Sequence, residues 1–167
     1  MVYLGKFFDM PRPIGQITII AIGKLKTKHW KLAQDEYLGR LGYYTRLELV
    51  ELKDMVGSLP DNVAVLKEGE LLLHAAAAIP YRIALTPTGQ PLTSPQLADF
   101  LQKQIERHNH LAFLIGGPLG FSPETLATCP QQISLSALTY THEMARIILL
   151  EQLYRSFTIL NGEKYHK

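Results

Sequence analysis

The sequence predicts an α/β protein with an open, mostly parallel sheet and helices on both faces, and two observations carry this prediction. Short apolar, β-branched segments alternate with longer segments in which apolar residues recur every three or four positions, the spacing of one helical face. Glycine and proline turns separate these segments at intervals suited to strand-helix-strand units. A chain of 167 residues, 47% hydrophobic and 19% charged, fits one such domain.

The first half of the chain predicts two strands and two helices. Gln16–Ile22 is β-branched and almost continuously apolar, as in a strand buried on both faces. His29–Leu41 carries apolar residues along one helical face, and Arg46–Lys53 alternates as a second strand. A loop at Asp54–Asn62 then leads to a second predicted helix, Val63–Ala78.

The second half continues the alternation. Tyr81–Thr86 predicts a third strand, which turn-forming residues at 87–91 should close. A helix is expected from Ser94, as its N-cap, to about Arg107, with Pro95 at the first helical position. The remaining predicted elements are a strand at Leu111–Ile115, a short helix opened by Ser122, a strand at Gln132–Leu135 and a long helix from His142 to about Leu160.

The last predicted helix is apolar around most of its circumference. A single sheet cannot bury every side of such a helix. The helix is then either the central core helix of a monomer or one that also packs against a second copy, and we favour a homodimer. The apolar residues are Met144, Ile147, Ile148, Leu149, Leu150, Leu153, Tyr154 and Phe157.

Bulk properties limit the functional class. The formal net charge of +2 permits a polyanionic partner without requiring one. A single cysteine, Cys129, excludes an intrachain disulfide framework, and with no signal sequence or membrane anchor it favours a cytoplasmic protein. The longest apolar run, 71–79, is too short to span a membrane. Residues 1–15 are expected to be a flexible N-terminal extension, and residues 16–167 a single domain.

A glycine-rich turn, Gly116–Gly120, follows a predicted strand. It lacks the Lys-Ser/Thr of a P-loop and the spacing of a dinucleotide fingerprint, so phosphate binding is disfavoured. It permits a flat ligand to approach the backbone at the carboxyl end of a parallel strand, where open α/β sheets bind ligands. A purely structural tight turn is the alternative.

A second candidate segment, Leu135–His142, precedes the last helix. Its small and hydroxyl-bearing residues can offer backbone donors and acceptors to an adenine-sized ligand. Thr141 is alternatively a plain helix cap, with Glu143 and Arg146 in ordinary first-turn contacts. A serine hydrolase using Ser134 or Ser136 with His142 is disfavoured, since no nucleophile-elbow pattern is present.

Several segments together carry a resemblance to a known family. They are Ile19–Lys26, Leu114–Pro118, Leu135–Thr139 with His142, Leu150–Arg155 and Asn161–Lys167. Over Gln16–Lys167 the chain resembles the RlmH family of SPOUT methyltransferases. It departs from the family pattern in the extension, at Leu119, in the short loop 54–62 and at Thr141, where a proline is usual.

The resemblance implies a C-terminal trefoil knot, a rarity that periodicity cannot predict. It implies N3 methylation of a pseudouridine in 23S rRNA on assembled ribosomes, with S-adenosylmethionine as methyl donor and no metal. The implied cofactor-binding residues are Leu85, Gly116, Leu135, Ser136, Ala137, Leu138, Thr139 and Tyr140. A catalytically silent RNA-binding or ribosome-assembly module with the same fold is the rival interpretation.

The implied reaction requires the weakly acidic imide N3 to lose a proton. The candidate catalytic residues are His142, Arg155, Tyr165 and His166: a histidine can accept the proton, and an arginine can stabilise a developing anion. The identity of the base stays open. Glu151 is placed to orient Arg155 at the i+4 position, and in a dimer the tail 164–167 can complete the neighbour's site. Without the resemblance, this tail would be an ordinary polar terminus.

A local basic patch follows the first strand. It comprises Lys24, Lys26, Lys28, His29 and Lys31. These residues either contact rRNA phosphates or form a solvated helix face.

Overall fold

The computed structural model describes residues 14–165, so most of the expected extension and His166 lie outside the described residues. The chain order is β1 (Gln16–Ile22), α1 (Lys28–Leu41), β2 (Arg46–Leu52), α2 (Asp61–Ala75), β3 (Tyr81–Pro91), α3 (Ser94–His108), β4 (His110–Ile115), α4 (Pro123–Ala127), β5 (Gln131–Ser134) and α5 (His142–Leu160). The strands form one sheet in the order β2-β1-β4-β3-β5, and every pairing is parallel. The predicted parallel α/β architecture is confirmed.

The central strand β1 explains why the sheet is covered on both faces. Ile17 and Ile19 belong to a core shared with α1, α3 and α5, whereas Ile20 and Ile22 belong to a second core beneath α2. All four side chains are fully buried. Burying one such side chain stabilises a fold by roughly 1.5–3 kcal/mol, so a continuous apolar strand selects a covered position in the sheet.

Two helices differ from their predicted bounds. The N-cap of α3 is Thr93, not Ser94, because the Thr93 side chain accepts from the Gln96 backbone N–H at 3.3 Å. The Gln96 side chain accepts in return from the Thr93 N–H at 2.8 Å, which completes a capping box. Helix α2 runs from Asp61 to Ala75 instead of Val63 to Ala78, since it begins directly after Pro60.

The turn expected at 87–91 is also wrong. Strand β3 continues to Pro91, and its pairing with β5 resumes at Gln90 after a register shift that begins at Leu85. Gly89 permits this course: a Cβ there would lie 2.6 Å from the Ile133 carbonyl carbon. Glycine and proline indicated a turn, but the close approach of β5 extends this segment instead.

The long helix α5 lies on one face of the sheet and packs against both α1 and α3. Leu149, Leu150, Leu153 and Phe157 are buried in this core, so much of its apolarity is satisfied within one chain. Three further apolar residues lie outside both core clusters and retain exposure: Met144, Ile148 and Ile159. The homodimer stays a prediction, to which these residues are relevant.

Within residues 14–165, no helix is both long enough and apolar enough to cross a membrane.

Candidate active site

The sheet register brings the three predicted ligand segments to one edge. Leu85 in β3 pairs with Ile115 on one side and with Ile133 on the other. Gly116 directly follows Ile115, and Leu135 lies two residues beyond Ile133. Because all three strands are parallel, their carboxyl ends meet where open α/β sheets bind ligands.

The glycine turn is closed by its own backbone. Gly120 N–H donates to the Gly117 carbonyl at 3.0 Å, and the same two residues form an isolated bridge. Gly116 is buried, and a Cβ built on it would lie 3.0 Å from the Gly120 carbonyl oxygen. This distance is tighter than ordinary van der Waals contact, so a side chain at Gly116 would require the turn to give way slightly.

The loop between β5 and α5 is held by local contacts. The Ser134 hydroxyl donates to the Ser136 carbonyl at 2.8 Å, and Leu138 N–H donates to Ser136 Oγ at 3.0 Å. Leu138 is 70% exposed. Ala137 and Thr139 are exposed as well, and Tyr140 is half-buried. Neither serine hydroxyl bonds to His142, so the disfavoured hydrolase arrangement is not assembled within the described chain.

Thr141 caps α5 as predicted, with its side chain accepting from the Met144 N–H at 3.2 Å. This cap fixes the first turn of α5, on which His142 lies. A Cβ on Gly23, at the end of β1, would be 3.4 Å from His142 Nε2. Gly23 has a φ of +82°, which favours glycine, and its lack of a side chain leaves room for the imidazole.

Next to His142 lies a cleft of about 500 Å³ at the carboxyl ends of β1 and β2. Its chemistry is mixed, with three ammonium groups, two carboxylates and one imidazole. The lining residues are Gly23, Lys24, Lys26, Glu51, Leu52, Lys53, Asp54 and His142. Two lysines of the predicted basic patch thus border the cleft, and all five patch residues are exposed.

Sequence analysis missed the role of Arg146, which is fully buried and pairs with Glu51. Its Nη2 donates to the Gly23 carbonyl at 2.7 Å, and its Nη1 donates to Gln34 Oε1 at 3.3 Å. Glu143 likewise accepts from the Lys26 N–H at 2.8 Å. The expectation of ordinary first-turn contacts was wrong, because the side chains of Glu143 and Arg146 reach the loop after β1. A lone arginine among the apolar residues 144–150 was the available signal.

At the far end of α5, three predicted residues form a cluster. Arg155 pairs with Glu151, which confirms the i+4 contact, and its guanidinium lies 4.8 Å from the centre of the Tyr165 ring. The Tyr165 hydroxyl donates to Glu151 at 3.2 Å. Burial, together with contacts to Tyr37 and Glu151, raises the pKa of Tyr165 to about 12, so its hydroxyl is neutral at physiological pH.

Of the candidate catalytic residues that the structure describes, Arg155 and Tyr165 lie together, whereas His142 lies apart from them. Thirteen residues of helix separate His142 from Arg155, which places them about 20 Å apart along the axis. Tyr165 belongs to the Arg155 end, and His166 lies outside the described residues. His142 lines the cleft and lies beside Gly23.

Among the described residues, no group of three histidine, cysteine, aspartate or glutamate side chains is arranged to hold a metal ion.

The fold is a parallel α/β sheet whose strand ends carry a glycine turn and a loop that leads into a capped helix, the place where open α/β sheets bind ligands. The family model described as Predicted SPOUT methyltransferase matches residues 16–166. The chain therefore belongs to the SPOUT methyltransferase family.

Curated relatives are similar in sequence to this chain over nearly their whole length. The chain is 44% identical over 158 residues to the ribosomal RNA large subunit methyltransferase H of Heliobacterium modesticaldum, covering 90% of this chain and 98% of the relative. It is 42% identical over 159 residues to the protein of the same name from Clostridioides difficile, covering 90% and 99%.

Solved structures share the fold at low sequence identity. A probable methylase family protein from Haemophilus influenzae superposes with a TM-score of 0.57 at 17% identity, covering 90% of this chain and 70% of that one. A probable methyltransferase from Bordetella pertussis gives 0.57 at 15% identity, covering 86% and 97%. At this identity the likeness concerns the fold alone.

Proposed function

We propose that this protein is an S-adenosylmethionine-dependent rRNA methyltransferase that methylates N3 of a pseudouridine in 23S rRNA on assembled ribosomes. Family membership and the names of its relatives support the reaction class and the large-subunit RNA. The observation that carries the proposal is the register that joins Leu85, the glycine turn and the loop 135–140 at one edge.

The cofactor is proposed to lie against Leu85, Gly116 and the loop from Leu135 to Tyr140. Two features fit a flat, adenine-bearing ligand: the Gly116 backbone carries no side chain and packs closely against Gly120, and residues 137–139 of the loop are exposed. When bound, S-adenosylmethionine supplies an electrophilic methyl group. The chain's own part is to hold the reactants in line and exclude water.

A trefoil knot is part of the proposal. Family membership supports it.

His142 is proposed to accept or relay the imide proton, since its imidazole lines the cleft. Arg155 and Tyr165 are proposed to stabilise the anion that develops on the base carbonyls. Because these groups lie about 20 Å from His142 in one chain, a homodimer is proposed in which the tail of one copy, including His166, completes the site of the other. The outward apolar residues of α5, Met144, Ile148 and Ile159, are available to such an interface.

The RNA is proposed to approach across the cleft and the basic patch. Lys24, Lys26 and Lys53 surround the cleft, and Arg146 pairs with Glu51, one of the two cleft carboxylates that would repel a phosphate. The site of action is then the cytoplasm, where ribosomes are assembled. Charge reversal at Lys24 and Lys26 is expected to weaken ribosome binding and reduce its salt dependence.

The proposal is tested by combining calorimetry with methyl transfer. We expect S-adenosylmethionine to bind the isolated protein, and its labelled methyl group to pass to ribosomes from a strain that lacks this modification. Binding without transfer to ribosomes or to free rRNA would favour the silent RNA-binding module. Failure of both would refute the methyltransferase.

Pairing two inactive variants tests the shared site. His142→Ala and Tyr165→Phe should each lose most activity, but mixed subunits should regain about a quarter of it, because half of the dimers then hold one intact site. Mixing that restores nothing would contradict a site built from two copies.

A further inference from the structure

Glu68, in the middle of α2, is a buried carboxyl group that the proposed mechanism does not use. It is only 1% exposed. Glutamate is almost never fully buried without a partner, because removing a carboxylate from water is costly. None of the four ion pairs among the described residues includes Glu68. Its retention in the interior therefore calls for a specific explanation.

The two carboxyl oxygens of Glu68 face two different loops. Oε1 accepts a hydrogen bond from the Met55 backbone N–H at 2.9 Å, in the segment that follows β2. Oε2 is buried and has no hydrogen-bond partner among the described residues. It lies under the glycine turn: a Cβ built on Gly117 would be 2.7 Å from Oε2 and 3.1 Å from Ile22 Cγ2.

We propose that Glu68 is a positioning residue that joins the loop after β2, which borders the cleft, to the glycine turn of the cofactor site. The inference rests on the proposed function, because it assigns a ligand to that turn. Glu68 Oε2 packs against Gly117, and Glu68 Oε1 accepts a hydrogen bond from the Met55 N–H. One side chain thus contacts both the glycine turn and the loop that borders the cleft.

The chemistry of a carboxyl group suits this position. An apolar side chain of the same size would leave the part-buried Met55 N–H without its side-chain acceptor, which is unfavourable. Burial raises the pKa of Glu68, and the nearby Asp54 carboxylate raises it further, which favours the neutral form. A neutral carboxyl has nearly the shape of an amide, so Glu68→Gln should preserve the arrangement.

A double-mutant cycle between Glu68 and Gly117 tests the contact. Gly117→Ala should raise the KM for S-adenosylmethionine about tenfold in the parent protein, the equivalent of one lost buried hydrogen bond. In the Glu68→Ala background, space opens under the turn, and the same substitution should cost less than threefold. Coupling of this size is expected only between groups in contact.

Single variants separate positioning from folding alone. Glu68→Ala should raise KM about tenfold and lower kcat less, while Glu68→Gln should restore both within about twofold. Glu70→Gln is the matched control, since Glu70 lies two residues along α2, is exposed and pairs with Lys67. It should leave both constants unchanged.

Two outcomes overturn the proposal: an equal cost of Gly117→Ala in both backgrounds, or Glu68→Ala with an unchanged KM. If Glu68→Ala does not fold, Glu68→Asp opens similar space while keeping a carboxyl and serves as the second background. If the folded parent does not bind S-adenosylmethionine in calorimetry, the proposed function fails. In that case, the same double-mutant cycle can be measured as free energies of unfolding in urea, which still decides whether Glu68 supports the turn.

Discussion

The loop after β1 and the loop after β5 lie at the same edge of the sheet but are held in different ways. Residues 23–26 are fixed by α5: Arg146 binds the Gly23 carbonyl, and Glu143 accepts from the Lys26 N–H. The loop 135–140 is held mainly by its own Ser134 and Ser136 side chains. Its residue Leu138 is 70% exposed.

This difference suggests that the loop after β1 is rigid before a ligand binds, whereas the loop after β5 can become ordered when one does. Long-range contacts from a buried arginine give the first loop its shape before anything binds. A loop with only local hydrogen bonds is expected to be less stable and to gain order from its ligand. The target side of the site is thus expected to be rigid, and the cofactor side to close around its ligand.

The largest expected effect follows from removing the contacts that hold the loop after β1. Arg146→Met leaves Glu51 without its cation and the Gly23 carbonyl without its donor, so the free energy of unfolding should fall by about 3–5 kcal/mol. Urea denaturation measures this loss. Lys67→Gln removes an exposed ion pair and is the control. A loss for Arg146→Met no larger than that for Lys67→Gln would contradict the account of a rigid loop after β1.

The glycine turn gives the next effect. A Cβ at Gly116 meets the Gly120 carbonyl oxygen at 3.0 Å, so Gly116→Ala must displace the turn. We expect the KM for S-adenosylmethionine to rise about tenfold or more. Gly39→Ala is the control, because a Cβ there meets no atom within 4 Å. Unchanged KM in Gly116→Ala would remove this turn from the cofactor site.

A smaller effect is expected in the locally held loop. Ser136→Ala removes the acceptor of the Leu138 N–H, worth about 0.5–1.5 kcal/mol, and should weaken cofactor binding roughly threefold to tenfold. Hydrogen exchange should show that S-adenosylmethionine protects residues 135–140 strongly and residues 23–26 hardly at all. Equal protection of the two loops would erase the distinction between them.

The smallest effect concerns pH. The pKa of Glu68 is raised by burial and by Asp54, so the folded protein binds more protons at this site than the unfolded chain. Its contribution to stability is therefore fully present below the unfolded pKa and is lost as pH rises through the folded pKa. Glu68→Gln should flatten this decline in urea titrations above about pH 4, near the unfolded pKa of glutamate. A parallel decline in both proteins would exclude Glu68 as its source.

Local sequence patterns predicted an element correctly where contacts between nearby residues determine that element. The apolar run of β1, the apolar residues of α5 and the Thr141 cap were all predicted from spacing and residue type. The extension of β3 to Pro91 was not, because it depends on pairing with β5, some forty residues away in the chain. The sequence predicts Ser94 as the N-cap because Pro95 suits the first helical position, whereas the capping box with Gln96 selects Thr93.

The candidate site divides in the same way. Gly116 and the loop 135–140 could be named from sequence, since glycine turns and small residues before a helix are local signals. The partners of Arg146 and Glu68 lie far away in the chain, so neither contact has a local signature. The separation of His142 from Arg155 follows from helix geometry and could have been calculated once α5 was predicted.

The most direct test of the account is nucleoside mass spectrometry of 23S rRNA after ribosomes lacking this modification are incubated with the protein and labelled S-adenosylmethionine. The account predicts a single labelled methyl group on N3 of one pseudouridine, formed about tenfold more slowly or worse by Gly116→Ala at limiting cofactor but at the parent rate by Gly39→Ala. Ribosomes that remain unlabelled, or a methyl group on a different nucleoside, would contradict it.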